Sequence, residues 1–458
     1  MNEKQLALAV APASDPSRPD FGRGGGCATS EASASSGWSD EDLVRRIGRA
    51  LDVAEAAVGL LGDVPAGLDL DRLEAPPDKI IAETAILLRA VASLPTSVAP
   101  DLVRRARALA RTLLPHARHA RVLVGIALHP AVARDYAVAH LSLASMGYPD
   151  ARIDRALAES VAAPTAGARE RFPYRELEQG WLAWLGGGAP PTDEAIERTS
   201  LVTGVDLLTG SRDDVYAFTH AVMYATDFGL RAARLPRPTE DVLATAESAL
   251  AGALDDDDFD VAGELLFAWP CLGAEWSAMS SLAFGVLARV EDEVGVLPSL
   301  GIDRAEYERQ PPGTRGHYVA AVAYHTAYVM GILCASVLRG RRRPQPAQRG
   351  PVARRALASL ARHLLSWLDA DARRPQWRRD LDALPPERQG ALVPFLIDVA
   401  LRRAVRGVDL VAVRYLLQTA LAAGVASSPL CAQAAGVLRR LASWQDLLTP
   451  PAPTTSPG

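Results

Sequence analysis

The sequence predicts an all-α protein. Every strongly patterned segment after about residue 38 repeats its apolar residues at helical spacing. No segment between turn signals alternates apolar and polar residues for four or more cycles, as a half-buried strand would. Prolines recur between the apolar segments, from Pro76 to Pro429, and the intervals suit helices of roughly one to two dozen residues. We therefore expect helices throughout the folded part of the chain.

Two tails and two helical regions are predicted along the chain. Residues 1–37 and 448–458 are rich in small residues and proline without apolar periodicity, which is typical of disordered tails. Ser39 followed by Asp42 has the form of a capping box, so we expect the first helix to begin there. We predict an N-terminal helical region over 38–165. A region of stacked helical hairpins is predicted over 166–447.

Five apolar helices rich in small residues recur in the second region, at 174–185, 215–229, 262–273, 316–335 and 392–405. Their centres advance by roughly 40 to 75 residues, which leaves room for one helical hairpin in each interval. Stacked hairpins form an open α-solenoid or, where they close, an α/α toroid around a central pocket. Polar residues in the middle of these helices favour the toroid, and the open solenoid is the alternative.

Composition limits the classes of function. The 458 residues carry 49 Lys and Arg against 54 Asp and Glu, a formal net charge of −5. This balance provides no basic surplus for a phosphate backbone, so we expect no nucleic-acid partner. Lys4 and Lys79 are the only lysines. Because Lys4 lies in a tail and Lys79 opens a helix, we do not expect Schiff-base catalysis, which needs a lysine amine.

Cysteine usage and hydropathy predict a cytoplasmic protein without a membrane partner. The four cysteines stand far apart, with no C-x-x-C pair, as in a reducing compartment. The N-terminus lacks the charged start and apolar core of a signal peptide. The most apolar segment, 318–338, carries Tyr324 and His325 near its middle, so we predict a buried helix and not a membrane span.

The first candidate site lies on one predicted helix. His220, Tyr224 and Asp227 follow at i, i+4 and i+7, which is one stripe of a helix. A histidine and a carboxylate on one face can ligate a metal, or can form an acid–base pair in which the carboxylate orients the imidazole. In the structural alternative, Asp227 is a turn residue before Gly229 and His220 is a hydrogen-bonded core residue.

The second candidate site is an acidic helix start. Asp255 to Asp258 precede Asp260 and Glu264, which lie four residues apart and run into an apolar helix. Capping and the helix dipole explain acids at a helix N-terminus without any further function. If Asp260 and Glu264 face inward, however, they need a cation, a proton or a hydrogen-bond donor.

The third candidate is His325, in the middle of the most apolar helix, where an imidazole needs a hydrogen-bond partner. A structural hydrogen bond is one explanation. In a closed toroid, three inner helices would instead bring the candidates to one pocket that suits a divalent iron, manganese or zinc ion. The predicted metal ligands are His220, Asp227, Asp260, Glu264 and His325. The predicted catalytic residues are His220, Asp227, Asp257, Asp258 and His325.

Two resemblances concern these segments. The run Asp255 to Asp258 contains D-x-D-D and locally resembles the acid motif of class II terpene cyclases, although the Q-x-x-x-x-x-W repeats of those enzymes are not evident. The segments T-H-x-x-x-Y-x-T-D-F-G, D-D-F-D-x-x-x-E and Y-H-T together resemble an uncharacterised bacterial family of all-helical proteins, over about residues 170–340. That resemblance implies a helical fold, a site at these segments and an accessory role in specialised metabolism, without an established activity.

The leading functional prediction is a cytoplasmic, metal-assisted enzyme of specialised-metabolite biosynthesis that acts on a small molecule or a peptide. A non-catalytic helical scaffold that binds a protein or peptide is the alternative, and an acid-initiated, terpene cyclase-like enzyme is the third. An enzyme should gather the His and Asp residues in one closed pocket. A scaffold should scatter them and expose an apolar groove.

Overall fold

The structure, a computed structural model, describes residues 38–62, 73, 75–340, 342–349, 351, 353–369 and 374–444. These residues form α-helices and two short 3-10 helices, Pro130–Val132 and Ala347–Arg349, and contain no strand. The all-α prediction is therefore confirmed. The predicted disordered tails, 1–37 and 448–458, lie outside the described residues.

The first ten α-helices lead up to the first candidate site. They are α1 (Asp40–Gly59), α2 (Pro77–Ala92), α3 (Pro100–Ala117), α4 (Ala120–Leu128), α5 (Ala133–Ser145), α6 (Ala151–Val161), α7 (Pro173–Leu185), α8 (Asp193–Glu197), α9 (Ser200–Thr203) and α10 (Arg212–Thr226).

The remaining α-helices begin with a long helix and the two that follow the acidic run. They are α11 (Thr239–Asp255), α12 (Phe259–Leu266), α13 (Ala268–Leu272), α14 (Ala278–Val294), α15 (Arg304–Arg309), α16 (Arg315–Arg339), α17 (Arg355–Leu368), α18 (Trp377–Asp382), α19 (Pro386–Ala391), α20 (Val393–Arg406), α21 (Leu410–Ala423) and α22 (Pro429–Ser443).

Capping residues explain where several helices begin. The Ser39 hydroxyl accepts the backbone N–H of Asp42 at 3.1 Å, and the Asp42 carboxylate bonds back to Ser39, as the predicted capping box requires. Ser211 and Asp214 form the same box at the start of α10. Pro77 lies in the first turn of α2. Backbone N–H groups in the first turn have no acceptor within the helix, so proline, which lacks this group, costs no hydrogen bond there.

Six helices follow one another in a closed sequence of contacts. Helix α2 contacts α5, α5 contacts α7, α7 contacts α10, α10 contacts α12, α12 contacts α16, and α16 returns to α2. We call these six helices the ring, and each of them supplies side chains to the lining of one cavity. Their contacts favour a closed α/α arrangement, and the choice between toroid and open solenoid stays a prediction.

Helices from both predicted regions take part in the ring. Helices α2 and α5 lie before the predicted boundary at 165, and they contact α16 and α7, which lie after it. Helix α1 also packs along α16. The two predicted regions therefore share one set of packed helices around one cavity.

Helix α16 is the long apolar helix of the core. Of the described residues, this is the one unbroken helix long and apolar enough to cross a membrane, and 89% of its most apolar window is buried. Two further segments, Ala120–Leu128 and Pro130–Ser145, are long and apolar enough only when they are taken together. The chain bends by 114° at the break between them. The burial of α16 agrees with the predicted buried helix.

Close packing of α16 on α1 depends on Gly331. A Cβ atom added at Gly331 would lie 2.5 Å from the Cβ of Ala50 and 3.1 Å from Leu87 on α2. Real Cβ atoms do not approach so closely, so any side chain at this position must push the helices apart.

We expect Gly331→Ala to destabilise the protein by about 1–3 kcal/mol because the new methyl group overpacks the α1–α16 contact. Gly285→Ala is the matched control, since Gly285 lies within α14 with no atom within 4 Å of its added Cβ. The control should gain up to about 1 kcal/mol from helix propensity. Urea unfolding followed by circular dichroism measures both. Equal effects of the two substitutions would contradict this account of the packing.

Candidate functional site

The cavity inside the ring has a volume of about 450 Å³, within the roughly 300–1,000 Å³ range of small-molecule sites. Its lining combines aromatic and apolar side chains with several ionisable groups. The ionisable and phenolic members are Lys79, Glu83, Tyr174, Arg175, Glu178, Arg212, Asp213, Tyr216, His220, Tyr224, Glu264, His325 and Tyr328.

Three predicted metal ligands meet beside this cavity. The Nε2 atom of His325 lies 3.3 Å from Oδ1 of Asp260 and 3.8 Å from Oε1 of Glu264. One ligand atom from each of these three residues lies within 4.8 Å of the other two. Asp260 and Glu264 are both buried, one helical turn apart on α12. We call Asp260, Glu264 and His325 the carboxylate–histidine cluster.

Each carboxylate of the cluster is held by one oxygen and presents the other to His325. Oδ2 of Asp260 accepts hydrogen bonds from the Tyr216 hydroxyl and, at 2.9 Å, from Arg212. Oδ1 of Asp260 is buried and accepts no hydrogen bond from any described residue. Oε2 of Glu264 accepts the Thr219 hydroxyl at 2.6 Å. A buried carboxylate oxygen without a donor is the expected state of a ligand atom.

Glu83 orients the imidazole of His325 from the opposite side. Its Oε2 lies 2.8 Å from Nδ1 of His325, so Nδ1–H donates to the carboxylate. With Nδ1 protonated, a neutral His325 directs its Nε2 lone pair toward Asp260 and Glu264. A carboxylate on the far nitrogen of a histidine is the usual support for a metal ligand.

The sequence prediction did not include Glu83. Its signal was available, because Glu83 interrupts the apolar stretch from Ile80 to Ile86 in the middle of a predicted helix. The prediction drew its pocket from helices of the 166–447 region alone, and Glu83 reaches His325 from the N-terminal region, across 242 positions of sequence.

His220 lines the cavity beside the cluster. Its Nδ1 lies 2.9 Å from the carbonyl oxygen of Tyr216, to which it donates, and 3.5 Å from Oε2 of Glu264. Three phenol rings contact the imidazole edge-on with ring centroids 5.5, 5.6 and 5.9 Å away, those of Tyr216, Tyr224 and Tyr174. Because Nδ1 carries the proton, Nε2 is a hydrogen-bond acceptor. His220 is not a member of the carboxylate–histidine cluster, whose ligand atoms all lie within 4.8 Å of one another.

The charges around His325 set its protonation. Burial by itself lowers the pKa of His325, but Glu83 and Asp260 outweigh burial and raise that pKa well above its ordinary value of 6.5. For Glu83 the signs are opposite. Burial by itself raises the pKa of this carboxyl, but the positive charge of the neighbouring His325 outweighs burial and lowers that pKa below its ordinary value. The carboxylates of Glu83 and Asp260 therefore favour the protonated form of His325 when no cation is bound.

Asp227 lies outside the cluster, which corrects the prediction for this residue. Helix α10 ends at Thr226, and Asp227 adopts a left-handed conformation with φ 49°. Its two carboxylate oxygens each accept a hydrogen bond from Arg89 at 2.7 Å, and the Trp181 indole N–H donates to Oδ1 at 2.7 Å. The predicted i+7 stripe is wrong at its last residue because the helix ends one residue earlier. The alternative, in which Asp227 is a turn residue before Gly229, is confirmed.

Asp257 and Asp258 are not among the residues that line the cavity. Oδ1 of Asp257 accepts the backbone N–H of Gln376 at 2.8 Å. Asp258 caps α12 by accepting the Val261 N–H at 3.2 Å, and it pairs with Arg212 at 2.7 Å. The prediction of these two residues as catalytic acids is therefore not supported. In this chain the D-x-D-D run serves capping and ion pairing, unlike the acid motif that it resembles.

The fold and the cavity together define an all-helical protein with a buried carboxylate–histidine cluster. The chain belongs to the family described as a domain of unknown function (DUF6895), which matches residues 47–335. The match extends further toward the N-terminus than the 170–340 expected from the motifs, and it contains every lining residue of the cavity. No curated protein and no solved structure matches the chain.

We expect Asp227→Ala to lower the free energy of unfolding by about 3–5 kcal/mol, because it leaves the mostly buried Arg89 guanidinium without its partner. Asp101→Ala is the control, since its ion pair with Arg104 is exposed and should be worth at most about 1 kcal/mol. Urea unfolding measures both variants. A small effect of Asp227→Ala would contradict the structural role of this residue.

We expect Glu83→Gln to lower the pKa of His325, because a neutral amide replaces one of the charges that raise it. Imidazole NMR titration of EDTA-treated protein measures this shift, with the exposed Glu275→Gln as control. Since the native pKa is raised, the contribution of His325 to stability is complete below pH 6.5 and is lost as pH rises through the native pKa. An unchanged pKa in Glu83→Gln would contradict the pairing.

Proposed function

We propose that the protein is an enzyme that binds a divalent cation at Asp260, Glu264 and His325 and acts on a small molecule in the adjoining cavity. The observation that carries the proposal is the convergence of three ligand atoms within 4.8 Å. Two ionised carboxylates with a neutral imidazole sum to a charge of −2, which balances a divalent ion. The mixed oxygen and nitrogen donors suit iron, manganese or zinc.

The surrounding side chains match the support that such a site needs. Glu83 fixes the His325 tautomer that leaves Nε2 free, and Arg212 and Thr219 each hold one oxygen of a cluster carboxylate. Supporting contacts of this kind typically change metal affinity or activity by about 10–100-fold when removed. A bound divalent ion would polarise a substrate oxygen or lower the pKa of a bound water.

His220 is suited to proton transfer. Its side chain lines the cavity, its Nδ1 proton is held by the Tyr216 carbonyl, and Nε2 can accept a proton. A neutral histidine beside a cation site can take a proton from a substrate that the cation has made more acidic. We therefore assign His220 as a general base, and the sequence prediction of His220 as a metal ligand gives way to that role.

The proposal includes a cytoplasmic location. The cysteines of the described chain, Cys271, Cys334 and Cys431, are buried thiols without disulfide bonds, which supports a reducing compartment. The size of the cavity favours a small molecule over a peptide as substrate. An accessory role in specialised metabolism rests on the motif resemblance alone and stays a prediction.

A scaffold that binds a protein or peptide is the second candidate, and one surface favours it. Val408, in the turn between α20 and α21, and Val411, in the first turn of α21, are 78% and 81% exposed. Neighbouring apolar side chains in water are typical of interaction surfaces. This surface lies beyond the family match and has no part in the cavity. It is therefore compatible with two hypotheses, an enzyme that also binds a protein partner and a scaffold without catalytic activity.

Metal uptake tests the proposal. We expect the purified full chain, incubated with Fe²⁺, Mn²⁺ or Zn²⁺ and then desalted, to retain one of these ions, because the cluster supplies three ligand atoms. Asp260→Asn and His325→Ala should lose the ion. His220→Ala and Asp227→Asn should retain it, since neither residue belongs to the three-residue group. Plasma mass spectrometry measures the metal and circular dichroism checks the fold.

Two outcomes would contradict the cation site. One is a folded wild-type protein that retains none of the three ions. The other is retention that Asp260→Asn and His325→Ala leave unchanged, which would place the ion elsewhere. Loss of the ion in His220→Ala would restore His220 to the ligand set.

A further inference from the structure

A second cavity adjoins the first. It has a volume of about 500 Å³ and is lined by residues of α2, α4 and α5. Lys79 and Ala82, both on α2, line the first cavity as well as the second. The two cavities are therefore neighbours that share the N-terminal turns of α2 as a wall.

Lys79 stands at this shared wall with a free ammonium group. Its side chain has no ion-pair partner among the residues that the structure describes, whereas Arg175, Arg212 and Arg121 are paired. Lys79 lies one turn before Glu83 on the same face of α2.

The two carboxylates close to Lys79 in sequence on α2 have other partners. Glu83 bonds to His325, and Asp78 pairs with Arg121 at 3.0 Å. Lys79 is exposed to solvent, so its unpaired ammonium offers an anionic group of a ligand an ion pair of modest strength in the lining of both cavities.

The lining of the second cavity is largely apolar. Aliphatic surface comes from Ile81, Val122, Val124 and Leu128. The rings of His129 and Tyr136 are stacked, with their centroids 5.7 Å apart and an angle of 13° between their planes. The Tyr136 ring also lies flat on α4 at Gly125, where an added Cβ would come within 2.5 Å of the ring. This flat, apolar wall suits an aromatic or alkyl group.

We propose that the substrate is an amphipathic carboxylic acid. Its carboxylate binds Lys79, its aromatic or alkyl part occupies the second cavity, and the atoms next to the carboxylate face the carboxylate–histidine cluster. The last of these placements rests on the proposed function. The first two concern binding alone and hold without a metal ion.

Binding of a simple probe tests the inference in EDTA-treated full-length protein. We expect 4-phenylbutyrate to bind more tightly than its neutral counterpart 4-phenylbutanamide, as measured by calorimetry. Lys79→Met should weaken binding of the acid by about two- to fivefold and leave the amide unchanged, because only the acid interacts with the exposed ammonium. Lys79→Arg should retain the preference for the acid. Arg104→Met, which removes an exposed cation on α3, is the matched control.

The apolar part is tested by chain length. Affinity should rise from acetate through butyrate to 4-phenylbutyrate in the wild type. Val124→Asn, at a cavity position that is 54% exposed and so tolerant of a polar residue, should reduce this rise without affecting acetate. Equal affinities for acid and amide, or a rise that Val124→Asn leaves unchanged, would overturn the inference. Binding of inorganic phosphate at Lys79 in preference to the carboxylates would overturn it as well.

The metal and carboxylate experiments fail separately. Retention of a metal ion without binding of 4-phenylbutyrate would remove the substrate inference and leave the cation site intact. Lysine-dependent binding of 4-phenylbutyrate by a protein that retains no ion would remove the proposed metal-assisted function and leave the carboxylate site intact.

Discussion

The burial of two carboxylates on one turn of α12 is the constraint on which the ring depends. Asp260 and Glu264 are 6% and 3% exposed, and removing an ionised carboxylate from water costs several kcal/mol unless partners compensate it. The partners come from the helices on either side, Arg212 and Thr219 from α10 and His325 from α16. Helix α12 is therefore stable in its place only while α10 and α16 flank it. The same contacts hold the ring together and fix the geometry of the site.

His325 connects three members of the ring, because its two nitrogens face carboxylates on α2 and α12. The same Nε2 atom that faces Asp260 and Glu264 can hold a proton or a cation, but not both. Cation binding at this cluster must therefore displace a proton, and its affinity should rise with pH until the imidazole is neutral. A protonated His325 compensates the two buried acids when no cation is bound, and a bound cation would supply that positive charge in its place.

Periodicity along one helix was a good guide to the site, and the ends of helices were not. The four-residue spacing of Asp260 and Glu264 and the apolar setting of His325 indicated inward-facing groups, because both signals lie within continuous helices. Asp227 was misplaced because the helix ends at Thr226, and a shift of one residue at a helix end is beyond what spacing can resolve. Glu83 was missed because its partner is distant in sequence, and only the closure of the ring brings α2 against α16.

The division between the ring and the helices after it suggests how the chain distributes its functions. The family match ends at residue 335, and the cavity lining ends at Ile332, so the site belongs entirely to the shared part of the family. The later helices pack on outer elements, with α20 against α11 and α18 against α14. They support the ring from outside and carry the exposed apolar hairpin. A function shared by the family would therefore be sought in the cavity, and a partner particular to this chain on the C-terminal helices.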